Sequence, residues 1–193
     1  VVGVDEAGRG CWFGPVVVAS VLLTPDQARS LIDAGVNDSK RVSPKKRDRL
    51  AQLIRDTATA VYVAEKSSSE IDEQGILVAT LAAMDQALAQ STPSYNPDLC
   101  LVDGNIPIPK TKIPQECVPQ GDQKEIAIAA ASIVAKVHRD RVVVELAKQY
   151  PGYGIEKHKG YGTAAHRTAL ENLGPTPHHR HSFKPVKSLQ SRI

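Results

Sequence analysis

Asp5 and Glu6 stand side by side at the end of an apolar opening run and are followed at once by Gly8-Arg9-Gly10. Adjacent carboxylates offer hard oxygen donors suited to Mg²⁺ or Mn²⁺, and glycines on either side of a cation let backbone N–H groups come close to a phosphate or a sugar. Two further acids have suggestive settings: Asp103 in Asp103-Gly104-Asn105, and Asp122 ahead of a long helical pattern. Metal-assisted phosphodiester hydrolysis uses ions about 4 Å apart held by carboxylates from separate elements, so distance along the chain is no objection to grouping these four. Each also has a plainer reading. Asp122-x-x-Glu125 is a helix-capping signature, Asp103 suits a turn, and Asp5 and Glu6 could be exposed at a strand end. Successive side chains on a strand point to opposite faces, so Asp5 and Glu6 can share one site only if the strand ends or bulges there.

Basic and aromatic residues supply the complementary chemistry. Arg9 could touch a phosphate or form a surface ion pair. Lys40-Arg41 and Lys45-Lys46-Arg47 straddle a helix start at Pro44, where backbone donors favour anions. Lys136 and Arg139 extend positive charge along the long helix, or are ordinary surface charge. In His158-Lys159-Gly160-Tyr161-Gly162 a cation, a flexible backbone and an aromatic ring adjoin, a combination suited to a sugar or base beside a phosphate. Tyr161 is the candidate contact there, with packing on the core as the alternative. His178, His179 and His181 have no partners at zinc spacing and read as a polar tail.

The elements that must carry these groups follow from pattern. A strand runs to about Asp5, and the nearly continuous apolar run from Pro15 to Leu23 predicts a second strand covered on both faces. Thr24-Pro25 and Ser43-Pro44 each open a helix, to about Ala34 and about Ala60. Val61–Ala64 is a strand, Ile76–Ala89 a helix, and Leu99–Val102 a short buried strand delivering Asp103 at its C-terminal end, where ligand groups sit in α/β sheets. A loop and one more strand occupy Ile106–Pro119. Asp122 precedes a long helix that runs to about Gln149 with Ile126, Ala130, Ile133, Val134 and Val137 on one face, and Thr163 caps a last helix to about Asn172.

At 193 residues, with 41% hydrophobic and 23% charged residues, the chain fits one globular domain over 1–193, with 163–193 as a C-terminal helix and tail. No apolar stretch reaches the ~20 residues of a membrane span, and the opening residues lack a signal peptide's basic and apolar regions, so a cytoplasmic protein without a membrane partner is expected. Cys11, Cys100 and Cys117 form no Cys-x-x-Cys and are expected to be reduced thiols. The net charge of +3 hides a gradient. Residues 136–193 carry 11 Lys/Arg against 4 Asp/Glu, so an acidic part suited to cations precedes a basic part suited to a polyanion.

Taken together, the motifs resemble those of bacterial ribonuclease HII. The resemblance runs from Gly3 to about Phe183 and rests on Asp5-Glu6-Ala7-Gly8-Arg9-Gly10, Gly14-Pro15-Val16-Val17, Asp38-Ser39-Lys40, Val102-Asp103-Gly104-Asn105, Gly121-Asp122, Ala130 to Lys136, and His158-Lys159-Gly160-Tyr161. It implies a ribonuclease H-like α/β fold, a central mixed β-sheet flanked by helices, with a short helical C-terminal region. It also implies a Mg²⁺- or Mn²⁺-dependent endonuclease for RNA–DNA hybrids that cuts 5′ to single ribonucleotides in duplex DNA, leaving 3′-hydroxyl and 5′-phosphate ends. Such an activity serves ribonucleotide removal and RNA primer processing, and a monomer is expected. By motif, Asp5, Glu6, Asp103 and Asp122 are the metal-binding catalytic acids. Gly8, Arg9 and Gly10 match the loop that senses the ribose 2′-OH, the group that separates RNA from DNA. Tyr161 matches the tyrosine that stacks on the following deoxyribose. Lys40, Lys45, Ser132 and Lys136 match positions near backbone phosphates.

Two departures are local. Cys11-Trp12-Phe13 replaces the small residues usual after the loop, and the C-terminal helical region is expected to be short or absent. Ribonuclease HIII would need a different loop in place of Gly8-Arg9-Gly10 and an extra N-terminal domain. Two other classes, a noncatalytic nucleic-acid binding module and a small-molecule phosphohydrolase, remain as alternatives that substrate tests separate. No Walker-type loop suggests a triphosphate site.

Overall fold

The computed structural model describes residues 1–36, 42–91 and 94–190; the Asp38-Ser39-Lys40 motif lies outside the described residues. Five strands form one mixed sheet: β1 (Val2–Ala7), β2 (Val16–Leu22), β3 (Ala60–Lys66), β4 (Cys100–Asp103) and β5 (Gln115–Val118), in the order β3-β2-β1-β4-β5. The first three are antiparallel neighbours, and β4 and β5 add in parallel to β1. Every residue of β2 is buried, as its unbroken apolar run requires.

The helices start where short polar caps stand. In α1 (Pro25–Asp33) the Gln27 N–H donates to Thr24 Oγ1 and the Thr24 N–H to Gln27 Oε1, a reciprocal capping box with proline at the first position. Ser43 caps α2 (Pro44–Thr57) and Thr163 caps α7 (Ala164–Leu173) through the same side-chain bond. Three elements add to the sequence expectation: α3 (Ser68–Gln74), the single turn α6 (Ile155–His158) and α8 (Lys184–Gln190). Of these, α3 opens on a Ser67-x-x-Glu70 capping box, a signature carried by the sequence itself. Within the described residues the C-terminal region holds two helices, α7 and α8.

Two helices cover the sheet. The long α4 (Ile76–Ser91) lays Ala83, Met84, Ala87 and Leu88 against Val2, Val4, Val18 and Val102 on one face. On the other face α5 (Ile126–Ala147) packs Ala127, Ala130, Ala131 and Val134 against Val17, Ala19 and Val21, while α2 closes over its outer side. A helix buried on both sides explains why Ala127–Ala135 show no exposed face, against the single apolar stripe that the spacing suggested. The capping expectation for Asp122 is also corrected. Asp122 sits in a 3₁₀ turn, Gly121–Gln123, and the residue at the N-cap of α5 is Glu125.

α5 meets β1 backbone to backbone. A Cβ on Gly3 would land on the main chain of Ala127 and Ile128, so only glycine permits this approach. Gly3→Ala is expected to cost about 3 kcal/mol, the scale of forced overpacking, read as a lower urea midpoint. A loss under about 1 kcal/mol would show that α5 can yield at that point.

Candidate active site

Pairing between β1 and β4 aligns Gly3 with Leu101 and Val4 with Val102, then stops. The next residues in that register are Asp5 and Asp103, so the parallel pairing sets the two carboxylates side by side, on the face that α5 covers. Beyond Val4 the edge of β1 towards β4 is unpaired, and the gap forms a notch of about 220 Å³ lined by Asp5, Glu6, Asp103, Arg47, Ser132, Lys136 and Tyr161, together with Ala7 and Gly8. The notch resolves the facing problem for Asp5 and Glu6. β1 neither ends nor bulges at Glu6 but continues to Ala7, and both carboxylates reach a gap that opens at the strand edge.

The acids differ in setting. Asp5 is buried, and its Oδ1 accepts the Glu6 N–H at 2.6 Å. Burial first, then the charges of Glu6 and Asp103, push its carboxyl well above the ordinary range, while a hydrogen bond from Ser132 opposes this. Burial also raises Glu6, against the pull of Arg9, whose Nη1 stands 3.4 Å from Glu6 Oε1; Asp103 adds to the rise. Asp103 Oδ1 accepts the Gly121 N–H at 2.7 Å, which ties the 3₁₀ turn to the strand end. Asp122, the next residue, is buried but lines a different hollow, beside Ile126 and Ala129. The structure thus gathers three of the four expected acids in one notch and puts the fourth in the adjoining turn. Among the described residues no group of three or more His, Cys, Asp or Glu is arranged as a ready metal cage.

The cationic side is partly as expected. Lys136 lines the notch, 2.7 Å from Asp140 and 5.2 Å from the centroid of the Tyr161 ring. Lys45 is exposed and absent from the notch lining; Arg47, in the same basic cluster, is the α2 residue that lines it. Ser132, expected near a phosphate, hydrogen-bonds Asp5. Tyr161 keeps 42% of its surface exposed.

Several buried residues behind the notch were not foreseen. Arg139 is fully buried, so the surface-charge reading is corrected. Its guanidinium donates to the carbonyls of Pro15, Lys159 and Phe13 at 2.9–3.0 Å. Gly8 has φ +94° and a Cβ there would land on Arg139 Nε, whereas a Cβ on Gly10 would meet nothing within 4 Å. The fold accounts for the first glycine, and the second faces open space. Arg180 is likewise buried and donates to the carbonyls of Gly14 (3.0 Å) and Arg9 (2.8 Å); burial, then Arg139, lowers it to about 10. Cys11, Trp12 and Phe13 are all buried, and the last two pack with Val143, Tyr153, Ile155 and Leu170.

The polar-tail reading of the histidines fails at His179. Its ring is fully buried, and its Nε2 lies 3.0 Å from Nε2 of His166, also buried. Partners fix the tautomers. Thr176 N–H donates to His179 Nδ1, so His179 must donate from Nε2 to His166, whose Nδ1–H then donates to the Tyr161 carbonyl at 2.9 Å. Burial lowers His166 to about 4 and His179 to about 3. No sequence signal distinguished His179 from its neighbours, because the distinction lies in a contact with a distant element.

Comparison with known proteins agrees with this geometry. A family model described as Ribonuclease HII matches residues 2–186. The chain belongs to the ribonuclease HII family. Ribonuclease HII of Acaryochloris marina (strain MBIC 11017) is 50% identical over 97% of this chain and 94% of its own length. That of Hyphomonas neptunium (strain ATCC 15444) is 49% identical over 98% and 95%. Among solved structures, ribonuclease H2 of Pyrococcus horikoshii OT3 superposes with a TM-score of 0.81 at 25% identity, covering 99% of this chain and 97% of that one. RNase HII of Archaeoglobus fulgidus, solved in a complex with PCNA, gives 0.81 at 29% identity over 98% and 96%. The ribonuclease H-like fold, and an endoribonuclease of the ribonuclease H type acting on RNA–DNA hybrids, follow from the family. Among the described residues no helix is long and apolar enough to cross a membrane.

The histidine pair predicts an acid-sensitive fold. Unfolded histidines take up a proton near pH 6.5, whereas these two stay neutral to about 4 and about 3, so stability is present above 6.5 and is lost as pH falls below it. Between pH 7 and pH 5 each contributes a loss of about 2 kcal/mol. Urea unfolding at both pH values should show a smaller loss for His179→Gln than for the parent chain. Equal losses would contradict the neutral-pair arrangement.

Proposed function

We propose that the chain, as one catalytic domain using Mg²⁺ or Mn²⁺, cuts 5′ to single ribonucleotides embedded in duplex DNA as well as within RNA–DNA hybrids, leaving 3′-hydroxyl and 5′-phosphate ends. The observation that carries this reading is the notch at the ends of β1 and β4, where three carboxylates share one opening with cations and an exposed tyrosine.

The donor set fits a hard divalent cation. Asp5, Glu6 and Asp103 present only oxygen atoms, and ionisation of Asp5 is opposed by burial and by its two acidic neighbours, a cost that a cation offsets. Asp122 stands outside the notch, in the turn whose Gly121 N–H holds Asp103, and is assigned to the set by motif. When bound, such an ion lowers the pKa of water and neutralises charge at the scissile phosphate. The protein's own groups do the rest. Ser132 and the Glu6 N–H orient the Asp5 carboxylate, and the Gly121 N–H fixes the Asp103 carboxylate.

Arg47 and Lys136 bring positive charge to the strand's phosphates; Gly8 lines the notch and Arg9 and Gly10 follow it, where the open space at Gly10 allows backbone to approach a 2′-hydroxyl. Tyr161 offers its exposed ring to the following deoxyribose, with Lys136 and Arg139 near the ring at 5.2 and 5.9 Å.

A labelled DNA duplex with one ribonucleotide, incubated with Mg²⁺, Mn²⁺ or EDTA beside an all-DNA control, tests the reading. Metal-dependent cutting 5′ to the ribonucleotide alone is expected; an intact duplex under every condition would favour a noncatalytic binding module. Asp5→Asn and Asp103→Asn should each lower turnover by about a thousandfold, roughly 4 kcal/mol of transition-state stabilisation, with little loss of duplex binding. Near-normal cleavage by either would remove the carboxylate assignment. Tyr161→Ala should lower the preference for the embedded ribonucleotide over a continuous hybrid by about tenfold, measured as the ratio of kcat/KM values.

A further inference from the structure

We infer that the adjacent residues His179 and Arg180 are positioning residues that set the Gly8-Arg9-Gly10 loop and Tyr161 in fixed relation to each other. The inference rests on the junction-reading roles proposed above for that loop and for Tyr161.

The two residues reach the two elements by separate routes. Arg180 holds the loop: its guanidinium donates to the carbonyls of Arg9 and Gly14, and its N–H donates to the Trp12 carbonyl at 2.7 Å. His179 holds the tyrosine, through His166 and its bond to the Tyr161 carbonyl. A bridge between Phe13 and His179 and a bond from the Gly14 N–H to the His178 carbonyl join the same segment to the loop along its backbone. The segment is itself anchored from outside the site. Asp72 of α3 accepts the N–H groups of His181 and Ser182 at 2.9 and 2.8 Å, and Ser68 donates to the Pro177 carbonyl.

This arrangement resembles a jig more than a surface tail. One short segment grips the loop's main-chain carbonyls directly and that of Tyr161 through His166, so it bears on the distance between a ribose sensor and a deoxyribose platform. Displacement of about 1 Å at a reacting centre can cost a hundredfold in rate. Loss of the segment's grip is therefore expected to appear as lost discrimination between substrates before it appears as lost chemistry.

The test compares kcat/KM for a duplex with one embedded ribonucleotide against a continuous RNA–DNA hybrid in His179→Phe, His179→Gln, Arg180→Lys and Tyr161→Ala. The ratio should fall about tenfold in His179→Phe and Arg180→Lys and stay within about twofold in His179→Gln, which retains a donor where Nε2 stood. Arg180→Lys keeps the charge and serves where His179→Phe fails to fold. Trp12, the single tryptophan, has its ring 5.4 Å from His166 and gives a readout without substrate. Acrylamide should quench its fluorescence more strongly in the two disruptive variants than in the parent chain. An unchanged ratio in both, with a tenfold fall in Tyr161→Ala, would overturn the positioning inference and leave the tyrosine's role standing, on the order of the change proposed for it. An unchanged ratio in Tyr161→Ala would remove the tyrosine's role and this inference with it.

Discussion

The approach of α5 to β1 at Gly3 and Ala127 is the constraint on which the site depends. A helix that touches a strand through backbone alone lies closer than side-chain packing allows, and its alanine-rich first half keeps that closeness along several turns. Ser132 and Lys136 thereby come level with Asp5, and Arg139 enters the interior behind the glycine loop. A bulkier residue at the contact would move all three together. The chemistry at the strand ends is set by a steric fact more than a turn of helix away from it.

The site places like charges together in a buried setting, which a fold would ordinarily avoid. Asp5 and Glu6 repel Asp103 and are only partly answered by Ser132, Arg9 and backbone N–H groups. The fold tolerates this because the central strands β1 and β2 are covered on both faces by α4 and α5. The notch sits where the pairing of β1 with β4 stops, so the carboxylates stand where the strand edges are no longer joined.

What the sequence disclosed follows the range of the interactions involved. Thr24, Ser43 and Thr163 announced their helices because a cap is a contact over three residues. The grouping of Asp5 with Asp103 was legible through motif rather than spacing, since the parallel register that aligns them is a long-range pairing. The way Glu6 reaches the same notch was not legible, for the same reason. Arg139, His179 and Arg180 resemble surface residues in any local window, and only the groups they meet in the folded chain make them interior. Ser67-x-x-Glu70 is the converse case, a purely local signal whose helix is short enough to escape a reading based on apolar periodicity.

Arg139 and Arg180 hold the loop by the carbonyls of Arg9, Phe13, Gly14 and Pro15, not by its side chains. A grip on main chain is blind to residue identity. The positions between these anchors can therefore differ in side chain while the path of the loop stays the same, and here Cys11, Trp12 and Phe13 fill the space. Variation there is a matter of what fills the space beneath the loop, and the two arginines are the part of the device that cannot vary with it.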